Sequence, residues 1–189
     1  MSLNSSGFLL ILPADAVSAS AGSASFRSRG QAMPQYWLFK SEPEVFSIED
    51  LRDSPEKTTS WEGVRNYQAR NFLRDQIRRG DGVLFYHSNA KPMIIAGSAV
   101  VARAGYPDHF AFQQDHKYFD PKSDPENPAW YMVDIRLKKI FSSPVTRDQL
   151  ADEPDCSNMM LLQRGSRLSI QPVTETEWLA VHRMAGVRP

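Results

Sequence analysis

The sequence contains a single cysteine, Cys156, which excludes an internal disulfide and a zinc site built from several cysteines. No apolar run approaches the roughly 20 residues that a membrane-spanning helix needs, which argues against an integral membrane protein. Lysine plus arginine and aspartate plus glutamate number 22 each, so the overall charge does not indicate a phosphate-rich partner. The 189 residues are enough for one domain and a tail.

The charges are unevenly distributed along the chain. Residues 41–62 carry seven acidic and two basic side chains, whereas residues 63–105 carry seven basic and two acidic ones. Arg70, Arg74 and Arg78 are spaced four residues apart and would form one stripe on a helix. Such asymmetry allows a neutral protein a basic face for nucleic acid, although ordinary solvated helices would give the same pattern.

Residues 1–33 differ in composition from the rest of the chain. They are rich in serine and alanine, contain no tryptophan or tyrosine, and show no sustained hydrophobic period. The short apolar run at 8–12 follows no lysine or arginine, and Met33 directly precedes the first strand-like run. We expect 1–33 to be a disordered or mis-started segment that folding does not need, and 34–189 to be one domain. A secretory signal or a transit peptide is the alternative for 1–33.

The remaining sequence predicts an α+β fold. Strands are expected at 36–39, 82–87, 93–102, 131–138 and 167–171 from their apolar, aromatic or alternating residues. Ser47, Thr146 and Thr174 each begin a capping-box pattern and predict short helices, and Asn66 is expected to cap a helix at 67–79. Because helices and strands do not alternate regularly, we expect a small, curled, mostly antiparallel β-barrel of five to six strands with helices packed around it.

Aromatic and polar side chains at the ends of predicted elements are candidates for binding a flat ligand. Trp37, Trp61 and Trp130 lie beside turn residues or charged groups, where an indole can stack on a base or pack in the core. Arg65 and Asn66 begin the predicted helix at 67–79, where free N–H groups, a guanidinium and an amide could bind a phosphate and a base edge. Equally, Asn66 could be a cap alone, with Arg65 paired to a nearby acid.

The sequence shows no motif for catalysis, metal binding or cofactor binding, and we expect no cofactor and no metal. It contains no Gly-x-Ser-x-Gly, no His-Glu-x-x-His and no glycine-rich phosphate loop. His87 and Ser88 are neighbours on a predicted strand, so their side chains would point to opposite faces instead of pairing as base and nucleophile. His109 and His116 lie in a long loop with several acids, where we expect solvated side chains.

Two long motifs resemble the EVE domain family, a PUA-like family related to the YTH and ASCH domains. The motifs are YWLFKSEP from Tyr36 and WEGVRNYQARN from Trp61. Shorter similarities follow in order: GD at 80–81, FYHS at 85–88, YPD at 106–108, NPAW at 127–130 and RLSIQPV at 167–173. Glu62 and Ile170 stand where the family commonly has aspartate and valine. The resemblance covers about 34–184 and says nothing of the first 33 residues.

The resemblance implies a protein that recognises a modified base, with modified cytosine in DNA, such as 5-methylcytosine or 5-hydroxymethylcytosine, favoured over RNA. One base would leave its strand and enter an aromatic pocket at one end of the barrel, where stacking worth roughly 1–3 kcal/mol offsets the cost of extrusion. The expected pocket residues are Trp37, Ser41, Glu42, Trp61, Asn66, Tyr67, Tyr86, His87, Ser88 and Trp130. The expected phosphate-binding residues are Lys40, Arg65, Arg70 and Arg167. We expect a monomer without a membrane partner, in the cytoplasm of a bacterium or the nucleus of a eukaryote.

Two other functions remain open at this point. An enzyme acting on a modified base or nucleotide would use His87 or Glu42 as a general base, and it would form a product from modified oligonucleotides. A protein-interaction module would bind a peptide in the pocket, and nucleic-acid competitors would leave that binding unchanged.

Overall fold

The computed structural model describes residues 33–189; what the sequence predicts for 1–32 lies outside the described residues. Six strands in this part of the chain form one mixed sheet: β1 (Tyr36–Ser41), β2 (Thr58–Ser60), β3 (Gly82–His87), β4 (Ile94–Pro107), β5 (Tyr131–Thr146) and β6 (Ile170–Val173). Their order across the sheet is β2-β5-β4-β3-β1-β6. β1 pairs with β3 in parallel, and the other four pairs are antiparallel. The α+β class is therefore confirmed, with mostly antiparallel pairing.

The expected curled barrel is not confirmed, because within residues 33–189 the sheet is open. Its outer strands are short: β2 pairs with β5 and β6 pairs with β1, and they do not pair with each other. The central strands β4 and β5 are longer than the alternation predicts, and their pairing shifts register at several points. Such bulges let long paired strands bend without closing the sheet.

Four α-helices accompany the sheet in the described residues. They are α1 (Ile48–Asp53), α2 (Tyr67–Asn71), α3 (Arg147–Asp152) and α4 (Glu175–Met184). The capping boxes predicted at Ser47, Thr146 and Thr174 are confirmed. Each side chain accepts from the backbone N–H of the third helical residue, and each backbone N–H donates to the side chain of that residue. None of the described helices is both long enough and apolar enough to span a membrane.

The helix predicted at 67–79 is shorter and less regular than its periodicity indicates. Asn66 caps it as expected, accepting from the N–H groups of Gln68 and Ala69. The α-helical part ends after one turn, and Phe72–Gln76 continues as a π-helical segment before the backbone becomes extended at Ile77. β4 approaches the π-helical segment closely at this point: a Cβ on Gly105 would lie 2.2 Å from the Leu73 carbonyl oxygen.

Both faces of the sheet are buried, which accounts for two hydrophobic clusters. One face carries Trp37, Phe39 and Phe85, and it is covered by α1, α2 and the π-helical segment. The other face carries Leu38 and Leu84 and packs against α3 and α4. Alternate residues of β1 therefore enter opposite cores, as strand geometry requires.

Candidate nucleic-acid interface

A cavity of about 450 Å³ lies beside the carboxyl end of β1, within the size range of small-ligand sites. Four segments that are distant in sequence line it. The lining residues are Lys40, Ser41, Glu42, Val45, Phe46, Thr59, Ser60, Trp61, Glu62, Gly63, Val64, Arg65, Lys117, Tyr118 and Ser169. We refer to this site as the β1 cavity.

Trp61 gives the β1 cavity an aromatic wall of fixed orientation. Its ring centroid lies 5.2 Å from that of Phe39 and 5.5 Å from that of Phe85, the latter edge-on. Phe46, which is half-buried, adds a third aromatic neighbour at 6.5 Å. The backbone N–H of Trp61 also donates to the Val133 carbonyl oxygen at 2.7 Å, which ties the residue to β5. Little side-chain freedom would be lost if a flat ligand stacked here.

The polar side chains that line the β1 cavity include the carboxylates of Glu42 and Glu62 and the ammonium groups of Lys40 and Lys117. The Ser60 hydroxyl donates to Glu62 Oε2 at 2.8 Å, and Asn89 Nδ2 donates to Glu42 Oε2 at 3.1 Å. Glu62 is half-buried and Glu42 is exposed. Burial lowers the pKa of Lys40, and the Arg147 guanidinium lowers it further. The cavity thus combines hydrogen-bond acceptors with the cations of Lys40, Arg65 and Lys117.

A fully buried carboxylate, Asp108, holds the loops around the cavity together. Its Oδ2 accepts from the Gly63 N–H at 3.1 Å and from Arg65 Nη1 at 2.8 Å, and its Oδ1 accepts from the Phe110 N–H. Arg65 also donates to the Tyr118 carbonyl oxygen. The acid that pairs with Arg65 is therefore Asp108, 43 residues away, and the Arg65 guanidinium is engaged in structure at the cavity rim.

The Tyr118 ring packs directly over Gly63. An ideal Cβ on Gly63 would lie 2.3 Å from the ring, and the Gly63 backbone has a φ of +75°. Only glycine fits both conditions without strain, so this residue sets how closely the 108–118 loop approaches the cavity.

The structure brings only part of the predicted site together. The predicted residues that line the β1 cavity are Lys40, Ser41, Glu42, Trp61 and Arg65. Trp37 is different: it is 2% exposed, and its Nε1 donates to Asp81 Oδ2 at 3.0 Å. The expectation that Trp37 offers a stacking face is wrong, because its ring is buried in the core and its N–H is already hydrogen-bonded there.

Asn66, Tyr67, Arg70 and Trp130 form a separate cluster at the start of α2, outside the lining of the β1 cavity. The Tyr67 and Trp130 rings stack with centroids 5.0 Å apart. Trp130 is 6% exposed and donates from Nε1 to Asp120, and this hydrogen bond is the main reason that the pKa of Asp120 is lowered. Arg70 donates to the Ala129 carbonyl oxygen, and Asn66 caps the helix.

The last predicted residues lie on the other side of β1. Tyr86, Ser88 and Arg167 line a second groove, to which Lys40 also contributes. His87 lines neither site: it is buried, its Nε2 accepts from the Ile48 N–H at 3.1 Å, and burial lowers its pKa. That arrangement makes His87 a neutral link between β3 and α1.

Several lining residues were not predicted as site residues. Glu62, Gly63 and Val64 follow Trp61 in the family motif, which was the available signal, and Ser60 directly precedes that motif. Tyr118 lies in the long loop between β4 and β5, and loops of that length are usually functional or mobile. Phe46 carried no sequence signal. Residues 33–189 contain no group of three or more His, Cys, Asp or Glu side chains that could hold a metal ion.

Comparison with known proteins identifies close relatives. The EVE domain family matches residues 35–184. Thymocyte nuclear protein 1 of Gallus gallus is 46% identical over 171 residues, covering 82% of this chain and 70% of the relative. The Homo sapiens protein of the same name is 41% identical over 163 residues, covering 77% and 72%. A crystal structure of human THYN1 in complex with 5-methylcytosine-containing DNA superposes with a TM-score of 0.75 at 41% identity, covering 82% of this chain and 99% of that chain.

Proposed function

Because the chain belongs to the EVE domain family, we propose that it binds DNA containing 5-methylcytosine and does so without a catalytic step. The observation that carries the proposal is the similarity to the human protein crystallised with 5-methylcytosine-containing DNA. We assign the modified base to the β1 cavity, since it combines an aromatic wall with convergent polar groups.

The aromatic wall supplies the affinity in this proposal. Taking a base out of its stack costs a few kcal/mol, least where the strand is single or weakly paired. Stacking against Trp61 and Phe46 returns roughly 1–3 kcal/mol. The Phe39 and Phe85 rings already fix the indole, so binding does not have to order it.

Glu62 distinguishes 5-methylcytosine from thymine in this proposal. Thymine and 5-methylcytosine share the C5-methyl group and differ at position 4, where cytosine donates from N4 and thymine accepts at O4. A carboxylate only accepts hydrogen bonds, so it matches N4 and repels O4. Ser60 already orients one Glu62 oxygen, whereas the exposed Glu42 is bonded to Asn89. Glu62 is therefore the residue that separates 5-methylcytosine from thymine.

The apolar lining supplies the preference for the methyl group. Burying one additional carbon is worth about 0.8 kcal/mol, which corresponds to a preference of about fourfold over unmodified cytosine. Val45, Phe46 and Val64 are the apolar residues available for this contact.

The test is a fluorescence anisotropy titration with oligonucleotides that carry cytosine, 5-methylcytosine or thymine at one position. We expect the wild-type protein to prefer 5-methylcytosine over both other bases. Glu62→Gln should reduce the discrimination against thymine while keeping the preference over cytosine, because the amide can donate to O4. Glu42→Gln is the matched control in the same cavity and should keep both ratios. Equal wild-type affinity for all three oligonucleotides would contradict the proposal.

A further inference from the structure

The second groove has a volume of about 300 Å³ and shares Lys40 with the β1 cavity. Its charged lining residues are Lys40, Arg147, Arg164 and Arg167, and no aspartate or glutamate lines it. We propose that this groove binds the phosphodiester backbone of the DNA strand whose modified base enters the β1 cavity, with Arg147 and Arg164 as additional phosphate-binding residues. This inference rests on the proposed function, since it needs a strand bound at the cavity.

The four cations come together from three separate segments, and the fold holds those segments in place. Lys40 is at the end of β1, and its backbone N–H donates to the Ser169 carbonyl oxygen at 2.8 Å. Arg164 and Arg167 lie on the turn before β6, which Gln171 braces by donating to Ser166 Oγ at 2.8 Å. Arg147 begins α3, and its backbone N–H donates to the Met93 carbonyl oxygen. The groove is therefore assembled by tertiary structure.

No carboxylate neutralises these cations in the described part of the chain. The ion pairs there use Arg52, Arg65, Arg74 and Arg183. In the groove, Lys40 Nζ and Arg147 Nη2 each donate only to a backbone carbonyl oxygen, both at 3.4 Å. Asp148 follows Arg147 in sequence, but it is exposed and does not line the groove.

Mutual repulsion among these cations favours an anion between them. Lys40 is half-buried and faces the Arg147 guanidinium, and both burial and that neighbouring charge lower its pKa. Like charges held in a cleft raise the local concentration of counter-ions. A single DNA strand carries one phosphate for about every 3.4 Å along the helix axis, so a groove with four cations matches consecutive phosphates better than a single ion.

The test compares the wild-type chain with Arg147→Gln, Arg164→Gln and the double variant, at several salt concentrations. The probes are a labelled oligonucleotide with one 5-methylcytosine and its unmodified counterpart. We expect the double variant to bind both about tenfold more weakly, with an unchanged ratio between them. The slope of log K against log salt should become shallower by about 2, one for each lost phosphate contact.

Arg136→Gln is the matched control, because Arg136 is an exposed arginine on β5 that lines neither site. It should leave affinity and slope unchanged. Arg164 lies on an exposed turn, so its single variant keeps the test valid even if Arg147→Gln disturbs the start of α3. The circular dichroism spectrum and thermal midpoint of each variant check that it is folded.

Three outcomes would overturn the groove assignment. One is a double variant with the wild-type salt slope. Another is a loss confined to the modified oligonucleotide, which would mean that the groove recognises the base. The third is an equal loss of binding to inorganic phosphate or to the 5-methylcytidine mononucleotide, which would identify a free phosphate as the ligand. A wild-type protein that does not distinguish the two oligonucleotides would instead contradict the proposed function.

Discussion

At the scale of single residues, two buried carboxylates link segments that are distant in sequence, Asp108 beside the β1 cavity and Asp81 near the start of β1. Asp108 gathers the Gly63, Arg65 and Phe110 donors. Asp81 is 3% exposed and accepts from the Gln35 N–H, the Arg78 N–H and Trp37 Nε1. Several N–H donors around each carboxylate offset the cost of removing it from water.

Trp37→Ala should act on stability and not on base recognition. Removal of a buried indole leaves a void and takes a donor from Asp81, so we expect the unfolding free energy to fall by about 3–5 kcal/mol. Urea denaturation measures this loss. Trp37→Phe keeps most of the ring volume and should cost less. A changed preference for 5-methylcytosine at wild-type stability would show instead that Trp37 contacts the base.

Gly63→Ala should disturb the cavity through Tyr118. Its new Cβ would meet the Tyr118 ring at 2.3 Å, and the φ of +75° adds strain. Gly80→Ala is the matched control, because Gly80 has a φ of +97° with nothing within 4 Å of a Cβ. The control should lose only about 1–2 kcal/mol of stability and keep DNA affinity. Gly63→Ala should lose more stability and bind 5-methylcytosine DNA more weakly; equal behaviour of the two variants would contradict this role for Gly63.

Local sequence could not separate Trp37 from Trp61, because both stand beside charged residues. What separates them is non-local. Trp37 donates to Asp81, which is 44 residues away, and does not line the cavity. Trp61 lies in the loop before α2 and lines the cavity. Residue types suitable for binding could be predicted from the sequence, but their exposure depended on long-range contacts.

At the scale of elements, the segment from Tyr67 to Ile77 shows why a correct hydrophobic pattern can give the wrong helix. Ala69, Leu73 and Ile77 are all fully buried, as the period predicts. The Ile77 N–H nevertheless donates to the Phe72 carbonyl oxygen, a π-type bond. An i, i+4 spacing of apolar residues survives this change, so the pattern cannot reveal it. The caps depend on neighbouring residues, and they were predicted correctly.

The stripe of Arg70, Arg74 and Arg78 should contribute less to DNA binding than its charge suggests. Arg74 is bonded to Asp75, and Arg70 and Arg78 donate to backbone carbonyl oxygens. We expect substitution of all three by glutamine to lower the affinity for modified and unmodified oligonucleotides alike, by less than about threefold. Asp75→Asn should have the opposite sign, since it removes the paired carboxylate. A loss larger than that of the Arg147/Arg164 double variant would place the main phosphate contacts on the stripe.

At the scale of the whole molecule, the open sheet follows from pairings that no local pattern contains. Strand positions were predicted from alternation, but the three-residue β2 was not, and β6 begins three residues later than expected. The β1–β3 pair joins segments about 45 residues apart, and it is parallel in a sheet whose other pairs are antiparallel. Arg147 and Arg164 lie more than 100 residues after Lys40 and reach the same groove only through tertiary contacts, so they could not be found from sequence.

The last prediction concerns how stability depends on pH. His87 and His182 are both buried, and burial lowers the pKa of each. The charges of Glu49 and Glu44 partly oppose this shift in the pKa of His87. A hydrogen bond with the Trp178 carbonyl oxygen partly opposes the shift in the pKa of His182. In the unfolded chain a histidine titrates near 6.5. The unfolded state therefore binds more protons below about pH 6.5, and stability falls as the pH falls, by up to about 1.4 kcal/mol per pH unit for each histidine.

Urea denaturation between pH 5.5 and 7.5 measures this slope before the carboxylates titrate. His87→Gln and His182→Gln should each flatten it, because the substituted side chain takes up no proton on unfolding. His109→Gln is the control, since His109 is exposed on the loop between β4 and β5, and it should keep the wild-type slope. At His87 the effect has a structural cause as well: protonation of Nε2 removes the acceptor for the Ile48 N–H at the start of α1. A slope that is the same in all three variants would show that neither buried histidine is held neutral by the fold.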